Sequence, residues 1–130
     1  MSYLLLTRPE IPYIATNPDL VCPTEFGSVP DCGSVCGMIF NATGKEPIVI
    51  GKPSALMPEL AMDKLGIAKE QTCVVGDRIY TDVKSGLNAG ALTILVLSGE
   101  TTPAILEASP EKPHIVLSDA GKIRDSLNNL

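Results

Sequence analysis

The chain has few aromatic residues and little positive charge. Aromatic side chains make up 4% of the sequence and tryptophan is absent, which argues against stacking of bases on an aromatic platform. Lysine and arginine number 10 against 15 aspartate and glutamate residues, for a net charge of −5. Because clusters of lysine and arginine bind phosphate backbones, we expect no nucleic acid among the partners.

Long apolar runs are absent as well. No stretch approaches the length of a membrane span, and the N-terminus lacks a basic region followed by an apolar signal core. We therefore predict no membrane association and a cytoplasmic location. The hydrophobic content of 45% in 130 residues is enough for a folded domain with a core that needs no disulfide or metal.

Cysteine and histidine are too sparse to indicate a zinc site. Cys22, Cys32, Cys36 and Cys73 lack the close pairing of a zinc ribbon, and the one histidine, His114, is far from them in sequence. We expect four reduced thiols, with Cys73 buried in a strand. We expect a structural role for His114, which opens an apolar run.

Strand-like and helix-like segments alternate along the last two thirds of the chain. The strand-like runs lie at residues 47–50, 72–75, 91–97 and 114–117. Helical patterns between them lie at residues 54–65 and 81–89. This alternation predicts an α/β fold, with a Rossmann-like parallel sheet and crossover helices.

The first third of the chain follows another pattern, because prolines and glycines interrupt it. A short strand is predicted at residues 13–15, and a helix at 35–42 that ends at Gly44. We place a boundary near residues 45–47.

The end of the second strand-like run carries the strongest indication of a site. Gly76 ends an apolar run, and Asp77 and Asp82 follow it as a helical pattern begins. Ligands bind at the carboxyl ends of parallel strands, and a carboxylate held there is a hard ligand suited to magnesium. These residues alone leave open that the two aspartates are only a turn residue and a helix cap.

Lys52 directly follows the strand-like run at 47–50, so we expect it at the same sheet edge as Asp77. A lysine beside a metal-binding aspartate suits a phosphoryl group, whose transfer depends on positioning and on neutralising oxygen charge. Taken alone, Gly51-Lys52-Pro53 is also compatible with an exposed lysine before a turn. The pairing with the Asp77 segment makes the phosphate interpretation more specific.

Several motifs agree in order and spacing with one known family. The chain resembles the haloacid dehalogenase-like (HAD) phosphatases, in particular the branch of nitrophenylphosphatase-like and NagD-type enzymes. The matching segments are Ile14 to Asp19, Ile50 to Ser54, Val75 to Asp82, Gly86 to Gly90 and Leu95 to Gly99.

The resemblance implies a role for each matching residue. Lys52 would contact the nucleophile and the substrate phosphate, Asp77 would ligate Mg²⁺, and Asp82 would orient the loop or the water shell of the metal. Substrate-binding residues would be Asn17, Asp19, Lys52 and Arg78. Residues 1–46 would be a partial α/β cap and residues 47–130 the C-terminal part of a HAD-like core. The reaction would be hydrolysis of a phosphomonoester, such as a sugar phosphate or a nucleotide, through a phospho-aspartate.

The chain departs from this family at the nucleophile. The family uses two aspartates separated by one residue, and the sequence contains no Asp-x-Asp. We therefore expect a C-terminal portion of such a phosphatase that is inactive by itself. Because a parallel sheet without its first strands exposes an edge, we also expect a homo-oligomer or another association through that edge.

Two alternatives remain open at this point. The chain could be a non-catalytic or regulatory module of the same fold that binds phosphate and magnesium. Coding sequence upstream of Met1 would discriminate, since an apolar strand followed by Asp-x-Asp there favours the enzyme. A dinucleotide-binding domain is weakly indicated, because Gly86 and Gly90 end a helical pattern and no Gly-x-Gly-x-x-Gly turn is present.

Overall fold

The chain forms two compact units in a computed structural model that describes residues 1–127. The first unit comprises Met1–Gly51, and the second begins at Lys52. The division into a cap at residues 1–46 and a core from 47 stays a prediction. The predicted α/β class is confirmed, because helices alternate with strands that form parallel sheets.

The first unit combines two helices with two small sheets. Its elements are α1 (Ser2–Thr7), β1 (Ile14–Ala15), β2 (Val21–Thr24), β3 (Gly27–Pro30), α2 (Cys32–Thr43) and β4 (Ile48–Val49). Strands β2 and β3 form an antiparallel hairpin, and β1 pairs in parallel with β4. The buried apolar side chains of this unit are Leu5, Ala15 and Ile39.

The residues at its two ends determine where helix α2 begins and stops. The carboxylate of Asp31 accepts a hydrogen bond from the backbone N–H of Cys32 at 2.6 Å, which satisfies one of the free donors at the start of a helix. Gly44 ends the helix in the left-handed conformation, with φ 66°, where glycine pays no steric penalty. The predicted helix and its stop at Gly44 are confirmed, although the helix begins earlier than expected.

The second unit is a three-stranded parallel sheet with helices between its strands. Its elements are α3 (Leu56–Leu65), a 3₁₀ turn (Lys69–Gln71), β5 (Cys73–Gly76), a π-helical turn (Ile79–Val83), α4 (Lys84–Asn88), β6 (Leu92–Val96), α5 (Pro103–Ala108), β7 (Ile115–Leu117) and α6 (Gly121–Leu127). The strand order is β5-β6-β7, with every pair parallel. Ile79, Val83 and Leu95 form its buried apolar centre.

Three expectations about the strands need correction. Strand β5 begins and ends one residue later than predicted, at Cys73 and Gly76. Strand β4 pairs with β1, whereas we expected it in the sheet that carries Asp77. Cys73 is exposed and not buried, because it begins a strand at the edge of the sheet, although partial burial of its thiol raises the pKa of Cys73.

The thiols and the histidine otherwise behave as expected. All four cysteines are free. The Nδ1 atom of His114 accepts a hydrogen bond from the backbone N–H of Thr93 at 3.1 Å and lies 2.8 Å from its hydroxyl oxygen. Thr93 is fully buried in β6, so this contact ties the start of β7 to the central strand.

Candidate functional site

Asp77 lies at the carboxyl end of β5, directly after Gly76, as the sequence predicted. Its Oδ2 atom accepts a hydrogen bond from the backbone N–H of Glu100 at 2.7 Å. Its carbonyl oxygen accepts another from the backbone N–H of Thr101 at 3.1 Å. Within residues 1–127 no group donates to Oδ1 of Asp77, so one carboxylate oxygen is held by the protein and the other is open to a ligand.

The loop after β6 can approach Asp77 because Gly99 has no side chain. A Cβ atom at this position would lie 2.0 Å from Oδ2 of Asp77, well inside contact distance. Any other residue at position 99 would therefore push the loop away from Asp77, and the hydrogen bond from Glu100 would lengthen or break.

Asp82 is buried and both of its carboxylate oxygens have partners. Oδ1 lies 2.5 Å from Nζ of Lys52, and Oδ2 accepts a hydrogen bond from the backbone N–H of Arg78 at 3.1 Å. The Asp82 side chain is 10% exposed and that of Lys52 is 55% exposed, so the cation reaches the carboxylate from the solvent side. A buried carboxylate needs hydrogen-bonded or charged partners, and Asp82 has both. Its bonds to Lys52 and to the backbone of Arg78 suit a residue that orients the loop after β5.

The π-helical turn brings Asp82 to this place. The backbone N–H groups of Asp82 and Val83 both donate to the carbonyl oxygen of Arg78, at 3.0 and 3.1 Å. The helix therefore begins at Ile79, earlier than the predicted start at Thr81 and Asp82, and Asp82 is not its cap. Single π turns of this kind are frequent at functional sites.

Helix α4 holds the segment that carries Lys52. The Ser85 hydroxyl donates to the carbonyl oxygen of Ser54, and Nδ2 of Asn88 donates to that of Pro53, each at 2.8 Å. These contacts between a loop and a helix hold Lys52 beside Asp82, an ion pair that the sequence did not predict. The ion pair does not require β4 in the sheet that carries Asp77, where we expected it.

Arg78 directly follows Asp77. Its Nε atom lies 2.6 Å from Oε2 of Glu100, and the Tyr80 hydroxyl donates to Oε1 of the same carboxylate at 2.8 Å. The role of Arg78 in binding substrate stays a prediction.

Asn17 and Asp19 lie in the first unit. The Asn17 Oδ1 atom accepts a hydrogen bond from the backbone N–H of Asp19 at 3.0 Å, and the carbonyl oxygen of Asp19 accepts one from Gly33 at 2.8 Å. These contacts shape the turn after β1 and join it to the start of α2. The predicted role of both residues in substrate binding stays a prediction.

The donor set suits a hard cation at Asp77 but supplies only one protein ligand. In the part of the chain that the structure describes, no group of three or more His, Cys, Asp or Glu side chains could hold a metal ion. Mg²⁺ usually keeps several waters and takes one or two carboxylates, so the open oxygen of Asp77 fits one of its ligand positions.

Sequence reasoning missed Glu100 and the two helix residues that fix the Lys52 segment, Ser85 and Asn88. Glu100 had a signal, because it follows Gly99 just after the strand predicted at residues 91–97. The contacts of Ser85 and Asn88 had no signal, since they depend on how α4 packs against the segment.

Comparison with known proteins identifies the family of the chain. Residues 49–123, more than half of the chain, match the HAD-hydrolase-like family. The chain belongs to this family, in its NagD-type and nitrophenylphosphatase branch.

Three relatives illustrate the match. A dihydroxyacetone phosphatase of Corynebacterium glutamicum is 42% identical over 87% of this chain and 41% of its own length. The ribonucleotide monophosphatase NagD of Escherichia coli is 36% identical over 85% of this chain and 43% of its own. The crystal structure of a 4-nitrophenylphosphatase from Thermotoga maritima superimposes with a TM-score of 0.85 at 46% identity, covering 95% of this chain and 47% of that one.

The chain therefore spans less than half the length of the relatives it matches. Among residues 1–127 no helix is long and apolar enough to cross a membrane.

Proposed function

We propose that the chain is the C-terminal portion of a magnesium-dependent phosphomonoester hydrolase that acts through a phospho-aspartate. The observation that carries this proposal is the open oxygen of Asp77 at the end of a parallel strand, in the same unit as the ion pair between Lys52 and Asp82. The relatives named above are phosphatases, one of which is named a dihydroxyacetone phosphatase and another a ribonucleotide monophosphatase. We therefore propose a sugar phosphate or a nucleotide as the substrate class.

Each residue has a distinct part in this proposal. Asp77 would hold Mg²⁺, which when bound screens the negative charge of phosphate and nucleophile. Asp82 would keep Lys52 in place, and the exposed end of Lys52 would contact the substrate phosphate. Asn17, Asp19 and Arg78 would bind the substrate. The cytoplasmic location also stays a proposal.

The purified chain is expected to show no turnover of p-nitrophenyl phosphate, with magnesium or with a chelator. The reason is that the sequence holds no Asp-x-Asp, so phosphate would meet no attacking carboxylate. The assay compares the chain with an Asp77→Asn variant. Magnesium-dependent turnover that the variant loses would contradict this prediction, because the chain would then hold its own nucleophile.

The alternative function is a non-catalytic module that binds phosphate and magnesium. The same site geometry would serve it, because Asp77 and Lys52 can bind ligands without a nucleophile. Restoring the missing motif separates the two functions, in the chimera described in the Discussion.

We also propose that the chain associates through the open edge of its parallel sheet. Strand β5 pairs with β6 on one side, and within residues 1–127 no strand pairs with its other side. Val75 in the middle of β5 is 42% exposed. An unpaired apolar edge of this kind favours pairing with another chain.

Light scattering over a range of concentrations is expected to show dimers or larger species. Val75→Lys is expected to shift the population toward monomers, since a lysine on an edge strand opposes strand pairing. Leu65→Lys, at the exposed end of α3, is the matched control and is expected to change little. A wild-type chain that stays monomeric at every concentration would contradict the proposal.

A further inference from the structure

Glu100 contacts Asp77, the candidate metal ligand, and two residues that follow Asp77 in the chain. Its backbone N–H donates to Oδ2 of Asp77 at 2.7 Å. Its carboxylate accepts from Nε of Arg78 at 2.6 Å and from the Tyr80 hydroxyl at 2.8 Å. We name these three residues, Arg78, Tyr80 and Glu100, the Glu100 clamp.

The clamp joins two segments that are distant in the sequence. Arg78 and Tyr80 follow β5, whereas Glu100 follows β6. Thr101, which is buried, adds a hydrogen bond from its backbone N–H to the carbonyl oxygen of Asp77 at 3.1 Å. The loop after β6 therefore donates hydrogen bonds to the carbonyl oxygen and to one carboxylate oxygen of Asp77. The Glu100 side chain accepts hydrogen bonds from the segment that follows Asp77.

The side chains of the clamp are too exposed for stability to be its main effect. Arg78 is 38% exposed and Glu100 41% exposed, and ion pairs at such positions contribute little to folding. Their geometry, in contrast, is specific, because three hydrogen bonds fix the position of one residue beside Asp77.

We propose that Glu100 is a positioning residue for the metal-binding carboxylate. By holding Arg78 and Tyr80, its side chain keeps its backbone N–H on Oδ2 of Asp77, so that Oδ1 would be left to hold the cation. This inference rests on the proposed function, in which Asp77 holds a divalent cation. Partners that orient a ligand in this way commonly change metal affinity by about 10- to 100-fold.

The test measures binding of Mn²⁺ alone to the purified chain by electron paramagnetic resonance, since Mn²⁺ takes the same oxygen ligands as Mg²⁺. Glu100→Ala is expected to weaken Mn²⁺ affinity about 10-fold or more. Glu100→Gln keeps an acceptor for only one of the two donors, such as the Tyr80 hydroxyl, so it is expected to recover part of this loss. Asp77→Asn is expected to abolish binding.

The matched control is Glu107→Ala. It removes the same charge from an exposed position on α5, away from the clamp, and is expected to leave Mn²⁺ affinity within about 2-fold of the wild type. Amide hydrogen exchange at position 100 provides a second readout, because the bond to Asp77 protects this N–H. Protection is expected to fall in Glu100→Ala and to persist in Glu107→Ala.

Three results would overturn the inference. If Glu100→Ala binds Mn²⁺ like the wild type while Asp77→Asn does not bind it, the positioning role of Glu100 is wrong and the proposed function stands. If Glu100→Gln binds as weakly as Glu100→Ala, the effect is one of charge and not of position. If the wild type does not bind Mn²⁺, both the positioning role of Glu100 and the proposed metal site are wrong.

Discussion

A chimera with the N-terminal part of the Thermotoga maritima 4-nitrophenylphosphatase is expected to hydrolyse p-nitrophenyl phosphate when this chain replaces its matching part. The TM-score of 0.85 at 46% identity supports such an exchange. Activity is expected to require magnesium. Asp77→Asn in the chimera is expected to lower kcat/KM by about 100-fold or more, because a bound metal contributes several kcal/mol of charge stabilisation.

The control for this measurement is Asp63→Asn, which removes an exposed carboxylate on α3. We expect it to leave kcat/KM within about 3-fold of the parent chimera, since a surface charge far from the reacting atoms is screened by salt. A folded chimera without turnover that still binds phosphate and magnesium would contradict the hydrolase proposal. It would favour the non-catalytic module.

Gly76→Ala is expected to lower the free energy of unfolding by about 1–3 kcal/mol, the usual cost of forcing an extra methyl group into a packed site. The new Cβ atom would lie 2.2 Å from Cβ of Asp82 and 2.4 Å from its Cγ. Asp82 cannot move aside cheaply, because both of its carboxylate oxygens are bonded and an unpaired buried carboxylate is costly. Urea denaturation followed by circular dichroism measures the change.

Gly37→Ala is the matched control for this substitution. Gly37 lies inside α2, and apart from its chain neighbours and the nearby backbone of the helix no heavy atom comes within 4 Å of an added Cβ there. Alanine is favoured over glycine in a helix by up to about 1 kcal/mol, so this variant is expected to be as stable as the wild type or more so. If the free energy of unfolding of Gly76→Ala lies within about 0.5 kcal/mol of the wild-type value, Asp82 is not packed against β5 as the structure shows.

Most elements could be predicted because their signals are local. The apolar runs that become β5, β6 and β7 are each short and bounded by polar residues, glycine or proline, and the stops of α2 and α3 are glycines in the left-handed conformation. The start of the helical segment that contains α4 was predicted at Thr81 and lies at Ile79, since a π-helical turn precedes α4 and such turns have no reliable sequence pattern.

Strand pairing was harder to predict than strand existence. The run at 48–49 was correctly identified as a strand, but it pairs with the strand at 14–15, which lies more than thirty residues earlier. Pairing depends on which edges meet after the chain has folded back, and a short apolar run carries no information about its neighbour.

The candidate site shows the same division between local and distant information. The sequence by itself determined which residue types stand at the strand ends, because Asp77 follows an apolar run and a glycine, and because Lys52 follows another such run. It also determined that no Asp-x-Asp is present, which decides the expected inactivity of the chain.

Only the tertiary structure decided how these residues are used. The ion pair of Asp82 with Lys52 joins residues 30 apart in the sequence, and the bond from Glu100 that leaves one oxygen of Asp77 open joins residues 23 apart. The packing of Asp82 against Gly76 depends on the turn between them. The physical reason is that close approach and hydrogen bonding depend on distances between atoms in the packed unit. Residue spacing along the chain specifies such distances only within a single helix, strand or turn.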